Sequence, residues 1–248
     1  MLPRAKNWDH HVDHAEEIAR GPGFQRLRDR IVERAQLAPG ETAIDIGAGT
    51  GLLALAIAPR AEAVWAIDVS PAMTRYLEAK AATGALSNLR SVTASATSLP
   101  VMDATADVVV SNYCFHHLRD PDKDRALREA FRALKPGGRL VFADMMFRVT
   151  LSGPRDRRVL ADKITAMLRR GPAGIWRLVR NGARYLSGRW EHPADATWWK
   201  AALQRAGFTD IDIQLLEHEG GIAHARRPTL ATHESPNGRP PEYSALAH

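Results

Sequence analysis

The sequence predicts an α/β fold: a doubly wound, seven-stranded sheet, mostly parallel, with an antiparallel last strand and a helical insertion after strand five. Three observations carry this. Ala43-Ile44-Asp45-Ile46-Gly47-Ala48-Gly49-Thr50-Gly51 is a short apolar run ending in glycines at every second position, and the alanine- and leucine-rich stretch 52–58 follows it. Strand, turn and helix is the context that gives a glycine motif meaning. Apolar runs then alternate with helical patterns, the rhythm of a parallel sheet covered on both faces. Finally, residues 209–216 and 221–226 read as two strands whose link is too short for a parallel crossover, so they pair antiparallel.

At 248 residues the chain can bury a substantial core, as one large domain or a domain with an elaboration. A single cysteine, Cys114, excludes an intramolecular disulfide framework and a multi-cysteine zinc cluster. No charged-then-apolar leader opens the sequence, and no apolar run approaches the ~18 residues of a membrane span, so a cytoplasmic protein is expected. The net charge of +6 is local: residues 148–189 carry +9, leaving −3 for the remainder. A partner for that charge belongs to this segment.

Taken in order, residues 1–20 are polar, with Trp8, His10, His11 and His14 set among Asp9 and Asp13. They read as an exposed arm or lid helix. His10 and His14 would share a helix face, but no third ligand lies nearby, so no metal site is assigned. Phe24, Leu27, Ile31 and Ala35 fall on one face of an amphipathic helix over 24–36, completing an N-terminal arm over 1–38. Pro39-Gly40 turns into the glycine-motif strand and opens the main domain, 39–227. The second strand, 63–68, ends in Asp68, a carboxylate placed to accept from both hydroxyls of a ribose. Ser70 suits an N-cap and Pro71 a first helical position, with the helix running to Thr83 and stopping at Gly84.

A third strand, 89–93, leads into Ala94-Ser95-Ala96, and a fourth, 106–110, into Ser111-Asn112-Tyr113-Cys114-Phe115-His116-His117. A helix over 123–134 stops at Lys135-Pro136-Gly137-Gly138, and a fifth strand, 139–143, carries Asp144 at its tip. The rhythm breaks over 147–193, where residues 156–170 and 175–186 read as two basic amphipathic helices. A helix over 194–206 and the two last strands restore it. The proline-rich, polar stretch 228–248 reads as a disordered tail.

A nicotinamide or flavin fold wants Gly-x-Gly-x-x-Gly; here the third glycine, Gly51, falls one residue early. The pattern Asp45-x-Gly47-x-Gly49-x-Gly51 instead resembles the first motif of the class I S-adenosylmethionine-dependent methyltransferases, whose fold is Rossmann-like. Asp68-Val69-Ser70-Pro71-Ala72-Met73 looks like that family's second-strand segment. Residues 107–112 with Phe115-His116-His117-Leu118 resemble its fourth-strand segment. Phe131-Arg132-Ala133-Leu134-Lys135-Pro136-Gly137-Gly138 resembles its approach to strand five, and Ala206-Gly207-Phe208 its entry to strand six. The match spans about 39–225 and is nearest the small-molecule and quinone methyltransferase branch.

The resemblance implies S-adenosyl-L-methionine as cofactor. Gly47, Ala48, Gly49 and Gly51 would line its methionine and ribose, and Asp45 would order the loop and the ammonium end. Asp68 would hold the ribose hydroxyls, Val69 and Met73 would flank the adenine, and Ser111 or Asn112 would face the reactive end. In one departure, the branch has Gly-Asp-Ala after strand three, its acid accepting from the adenine amino group, where this chain has Ala94-Ser95-Ala96. Ser95 offers a neutral acceptor, weaker than a charged one.

Methyl transfer from a sulfonium needs the acceptor positioned and, for some acceptors, a proton removed. His116 and His117 sit where a base would be useful, and each reads either as that base or as a hydrogen-bonding or pocket-lining residue; Tyr113 shares the ambiguity. Cys114 reads as a packed small residue. The insertion, 147–193, reads as a substrate cap over a lipophilic or anionic acceptor, as a peripheral membrane or lipid contact through 148–189, or as a helix pair packed on the domain. Trp198 and Trp199 extend the pocket wall or pack the last helix.

The expected activity is therefore methyl transfer to O, N or C of a small metabolite. A nucleic-acid methyltransferase using the +9 segment is the alternative. The fourth-strand segment argues against it, since it lacks the Asn-Pro-Pro-Tyr type of signature that holds a flipped base. A binding protein that kept the fold and lost the chemistry is a third reading.

Overall fold

A computed structural model of the chain describes residues 8–147, 154–169, 171, 192–217 and 219–229. Its seven strands are β1 (Thr42–Ile46), β2 (Ala63–Asp68), β3 (Leu89–Thr93), β4 (Ala106–Asn112), β5 (Leu134–Met145), β6 (Thr209–Leu215) and β7 (Gly220–Arg226). They form one sheet in the order β3-β2-β1-β4-β5-β7-β6. β1 pairs parallel with β2 and β4, β2 with β3, and β4 with β5, whereas β7 runs antiparallel to both β5 and β6. The winding reverses between β1 and β4. At such a switch point the loops leaving neighbouring strands part in opposite directions and open a crevice at the carboxyl ends.

Among the described residues the helices are α1 (Val12–Arg20), α2 (Pro22–Ala35), α3 (Ala54–Ile57), α4 (Pro71–Thr83), α5 (Asp120–Ala133), α6 (Pro154–Leu168) and α7 (Ala196–Arg205), with 3-10 turns at Asp9–His11 and Phe115–His117. Strand side chains alternate between the two faces. Val108 and Val110 pack with Leu27 and Ile31 of α2, Ile57 of α3 and Leu77 of α4. On the other face Ile44, Ile46 and Val109 pack with Leu127 of α5 and Trp199 and Leu203 of α7. Both faces being covered explains why the central strands carry apolar residues on both sides, as in Val108-Val109-Val110 of β4. Trp199 is fully buried, with ring centroids 4.8 Å from Phe142 and 5.9 Å from Phe115, so it packs the core.

Several elements differ in extent from the sequence expectation. The helix after the glycines is only four residues long, because the chain stays in turn conformation past Gly51, whose φ is +94°. Helix α5 starts three residues early, at Asp120, and ends at Ala133. The Lys135-Pro136-Gly137-Gly138 stop lies inside β5: Leu134 already pairs with Ala106, and the register shifts before Val108. A Cβ on Gly138 would stand 2.9 Å from the Lys135 carbonyl oxygen and 3.0 Å from that of Asp107, so only glycine lets the bulged strand stay this close to β4.

The first insertion helix spans Pro154–Leu168 instead of 156–170; the second, expected over 175–186, lies outside the described residues, as does 230–248 of the expected tail. No helix among the described residues is long and apolar enough to cross a membrane.

Candidate active site

The glycine loop leaves β1 at the switch point, and each glycine serves a separate constraint. Gly47 has φ +72°, and a Cβ there would stand 2.3 Å from Cys114 Sγ, so the loop packs directly against the segment following β4. Gly51 does the same against α4, with Leu77 Cδ1 2.3 Å from its would-be Cβ. Gly49, at φ +53°, meets nothing among the described residues within 4 Å of where a Cβ would stand. It is the part of the loop that a ligand can approach. The half-buried Cys114 thiol is pushed up by burial and serves as packing beneath Gly47.

Two carboxylates hold this loop. Asp45, 1% exposed, accepts from the Ala54 N–H at 3.0 Å and so fixes the start of α3; burial raises its pKa to about 7. Asp68 accepts from the Gly49 N–H at 2.8 Å through Oδ2 and from the Ser70 N–H at 2.9 Å through Oδ1, and burial raises its pKa too. The Val69 N–H also bonds the Asp68 carboxylate, which keeps part of its acceptor capacity open. Ser70 caps α4, its Oγ accepting from the Met73 N–H at 3.2 Å. Val69 is 57% exposed beside Asp68, whereas Met73 is 4% exposed. Ala48 is buried, and Ala96 is half-buried against the core. The Ser95 hydroxyl already accepts from the Thr97 N–H at 3.2 Å and bonds the Thr97 hydroxyl at 2.8 Å.

At the end of β4, the fully buried Ser111 donates its hydroxyl to the Ile46 carbonyl at 2.7 Å, locking β4 to β1. Asn112 follows, and its Oδ1 is buried without a hydrogen-bond partner among the described residues. Tyr113 takes a left-handed φ of +51°, uncommon outside glycine, which swings the chain out of the sheet. Its ring packs on Phe24 of α2 at 5.2 Å and on His116 at 5.7 Å. Burial, with Glu219 and Asp144 adding to it, pushes the phenol well above its ordinary range, so it remains a donor.

His116 is 4% exposed, and its Nδ1 lies 2.7 Å from Oδ1 of the fully buried Asp144. The same carboxylate accepts from the N–H groups of Phe115 at 2.7 Å, His116 at 3.2 Å and Met145 at 2.6 Å. Such donors make Asp144 an acceptor, so Nδ1 of His116 carries its proton toward Asp144 and Nε2 is left as the basic nitrogen. His117 lies on His116 with ring centroids 3.8 Å apart, and Trp8 lies on His117 at 4.4 Å.

Asp144 was visible in sequence only as an acid at a strand tip. Trp8 and Asp9 had no signal beyond a polar arm. Asp9 reaches across to α4, where Oδ1 accepts from Ser70 Oγ at 2.5 Å and from the Ala72 N–H at 3.2 Å, and the Ser70 bond holds its carboxyl below the usual range. His10 and His14 are exposed, and no group of three metal-ligating side chains occurs among the described residues.

The crevice fits a nucleoside carrying an amino-acid end. Gly49 leaves a cradle that a side chain would narrow, Val69 offers an exposed apolar face, and Asn112 Oδ1 is a buried acceptor without a donor among the described residues. Residues 44–142 match the family model described as a methyltransferase domain. The chain is 31% identical over 146 residues to an uncharacterised methyltransferase of Geobacillus kaustophilus, covering 58% of this chain and 64% of that protein. It is 30% identical over 198 residues to the ubiquinone/menaquinone biosynthesis C-methyltransferase UbiE of Escherichia coli, covering 77% of this chain and 75% of the relative. A SAM-dependent methyltransferase from Aquifex aeolicus superposes with a TM-score of 0.61 at 18% identity, over 87% of this chain and 98% of its own, a likeness of fold. The chain belongs to the class I S-adenosylmethionine-dependent methyltransferases, in their quinone-methyltransferase-like branch.

Proposed function

We propose that this chain methylates O, N or C of a small, lipophilic or anionic acceptor, with His116 receiving the acceptor's proton. The observation that carries the reading is the buried His116–Asp144 pair, 2.7 Å apart at the carboxyl ends of β4 and β5. S-adenosylmethionine, when bound, supplies a methyl group already activated on a sulfonium. Gly47, Ala48, Gly49 and Gly51 would line its methionine and ribose. Asp68 would accept from the ribose hydroxyls with its remaining acceptor capacity, and Val69, Met73, Ser95 and Ala96 would border the adenine. Asn112 Oδ1 would accept from the ammonium end, for which Asp45 holds the loop in shape; Ser111 supports Asn112 from within the sheet.

On the acceptor side, Asp144 fixes the tautomer and rotation of His116, so that Nε2 can take a proton as the new bond forms. His117 would form the wall beside it, and Tyr113 would donate a hydrogen bond. The name of the Escherichia coli relative, a quinone-biosynthesis C-methyltransferase, favours a lipophilic acceptor. The +9 charge of residues 148–189 suits an anionic group or an anionic lipid surface near it.

Calorimetry with S-adenosylhomocysteine tests the cofactor half: wild type should bind, and Asp68→Ala should weaken binding at least tenfold, about 1.4 kcal/mol. Turnover of a panel of phenols, quinols and small acids tests the other half. His116→Ala should lower kcat by roughly 10²-fold or more with cofactor affinity retained. Unchanged kcat removes the proton-acceptor role, and absence of cofactor binding removes the reading.

A further inference from the structure

We propose that Trp8 and Asp9 are positioning residues coupling the two halves of this site, so that seating the cofactor beside Asp68 also seats the His116–His117 pair for the acceptor. The inference rests on the function proposed above. Its basis is that two adjacent residues touch both halves. Asp9 accepts from Ser70 Oγ at 2.5 Å and from the Ala72 N–H at 3.2 Å, while Asp68 accepts from the Ser70 N–H at 2.9 Å. The two carboxylates therefore share the first turn of α4. Trp8, one peptide earlier, lies on His117 at 4.4 Å, and His117 on His116 at 3.8 Å. With consecutive Cα atoms only about 3.8 Å apart, neither contact can shift without dragging the other.

The same segment has a second anchor on the cofactor side. Glu16 of α1 pairs with Lys80 of α4 at 3.0 Å, and Lys80 donates to the Thr50 carbonyl of the glycine loop at 3.0 Å. Neither the 3-10 turn Asp9–His11 nor α1 contains a buried residue. The segment is thus held by polar and ring contacts, not by a core. Segments held in this way open at low free-energy cost, and a ligand favouring the closed form readily shifts them.

The test uses the full chain, with S-adenosylhomocysteine as probe, calorimetry for affinity and amide hydrogen exchange for residues 9–20. In wild type, the probe should slow exchange across 9–20 about tenfold. Asp9→Ala should weaken probe binding by about tenfold and abolish the slowing. Asp9→Asn keeps an acceptor oxygen for Ser70 and Ala72 and should stay within about threefold of wild type. Trp8→Ala should also weaken the probe severalfold although its ring contact lies on the histidine side, and the probe-induced shift of the His117 ring nitrogens should vanish. Thermal unfolding without the probe should be alike in all variants, which separates positioning from a folding defect. Probe affinity within twofold of wild type in Asp9→Ala, or exchange at 9–20 indifferent to the probe, overturns the coupling. A wild-type chain that does not bind the probe overturns the functional reading and the coupling with it.

Discussion

Replacing Asp144 by asparagine tests the centre of the site without creating a cavity. Four donors converge on this fully buried carboxylate: Phe115 N–H and His116 N–H on Oδ2, and His116 Nδ1 and Met145 N–H on Oδ1. In Asp144→Asn the amide oxygen can serve one pair, and it keeps the two backbone donors by taking the Oδ2 position. The amide NH2 then faces the Met145 N–H, which is left unsatisfied, and faces Nδ1, to which it donates. A buried donor without a partner costs roughly 1–3 kcal/mol, and exchanging a charge-assisted bond for a neutral one about 1 kcal/mol more. The expected loss is about 3 kcal/mol, a hundredfold in the unfolding equilibrium, against a total of roughly 5–15 kcal/mol for a typical domain.

The proton of His116 should move from Nδ1 to Nε2, removing the nitrogen lone pair to which the proposed function assigns the acceptor's proton. Urea unfolding with unchanged slope measures the first effect, and imidazole nitrogen chemical shifts measure the second. A loss under about 0.5 kcal/mol, with Nδ1 still protonated, would refute the reasoning.

Glycine substitutions should separate folding from ligand access. Gly47→Ala drives a methyl into Cys114 at a positive φ and is expected to cost upward of about 2 kcal/mol, read as a lower urea midpoint. Gly49→Ala meets no atom of the described residues and should cost only about 1–2 kcal/mol for its φ of +53°, yet weaken S-adenosylhomocysteine markedly; equal effects of the two on stability would contradict the geometry. For Asp45, the folded pKa of about 7 lies above the unfolded carboxylate value, so the folded state holds the extra proton between the two. Its contribution is then fully present at acid pH and lost as pH rises through 7. Asp45→Asn should flatten that slope, gaining on the order of 2–4 kcal/mol relative to wild type between pH 5 and pH 8. Parallel pH–stability curves for the two proteins would show that the carboxyl is not held this way.

Much of the site was legible because its determinants are local. Three glycines at alternate positions can take φ of +72°, +53° and +94° whatever surrounds them, and Ser70-Pro71 caps a helix from within its own first turn. Asp68 stood out because an acid ends an apolar strand. The antiparallel last pair followed from the shortness of its link. The bulged start of β5 was not legible, because Gly137-Gly138 reads as a turn until the neighbouring strand is known to hold it. Ser111 and Asn112 looked equivalent in sequence, and the alternation of β4 separates them: one hydroxyl is bonded to the Ile46 carbonyl inside the sheet, while the other residue has a buried oxygen without a donor among the described residues.

The sequence by itself determined the doubly wound sheet, the glycine loop after β1 and the acid ending β2, since these depend on periodicity and on residues within a turn of one another. Only the tertiary structure decided which histidine is held and by what. His116 and Asp144 are 28 residues apart and meet because β4 and β5 align in a particular register, while Asp9 and Ser70, 61 apart, meet because the segment 9–20, which contains no buried residue, is held against α4. Strand register and the docking of a polar segment are set by the summed packing of the whole domain, and no short stretch of sequence carries that sum.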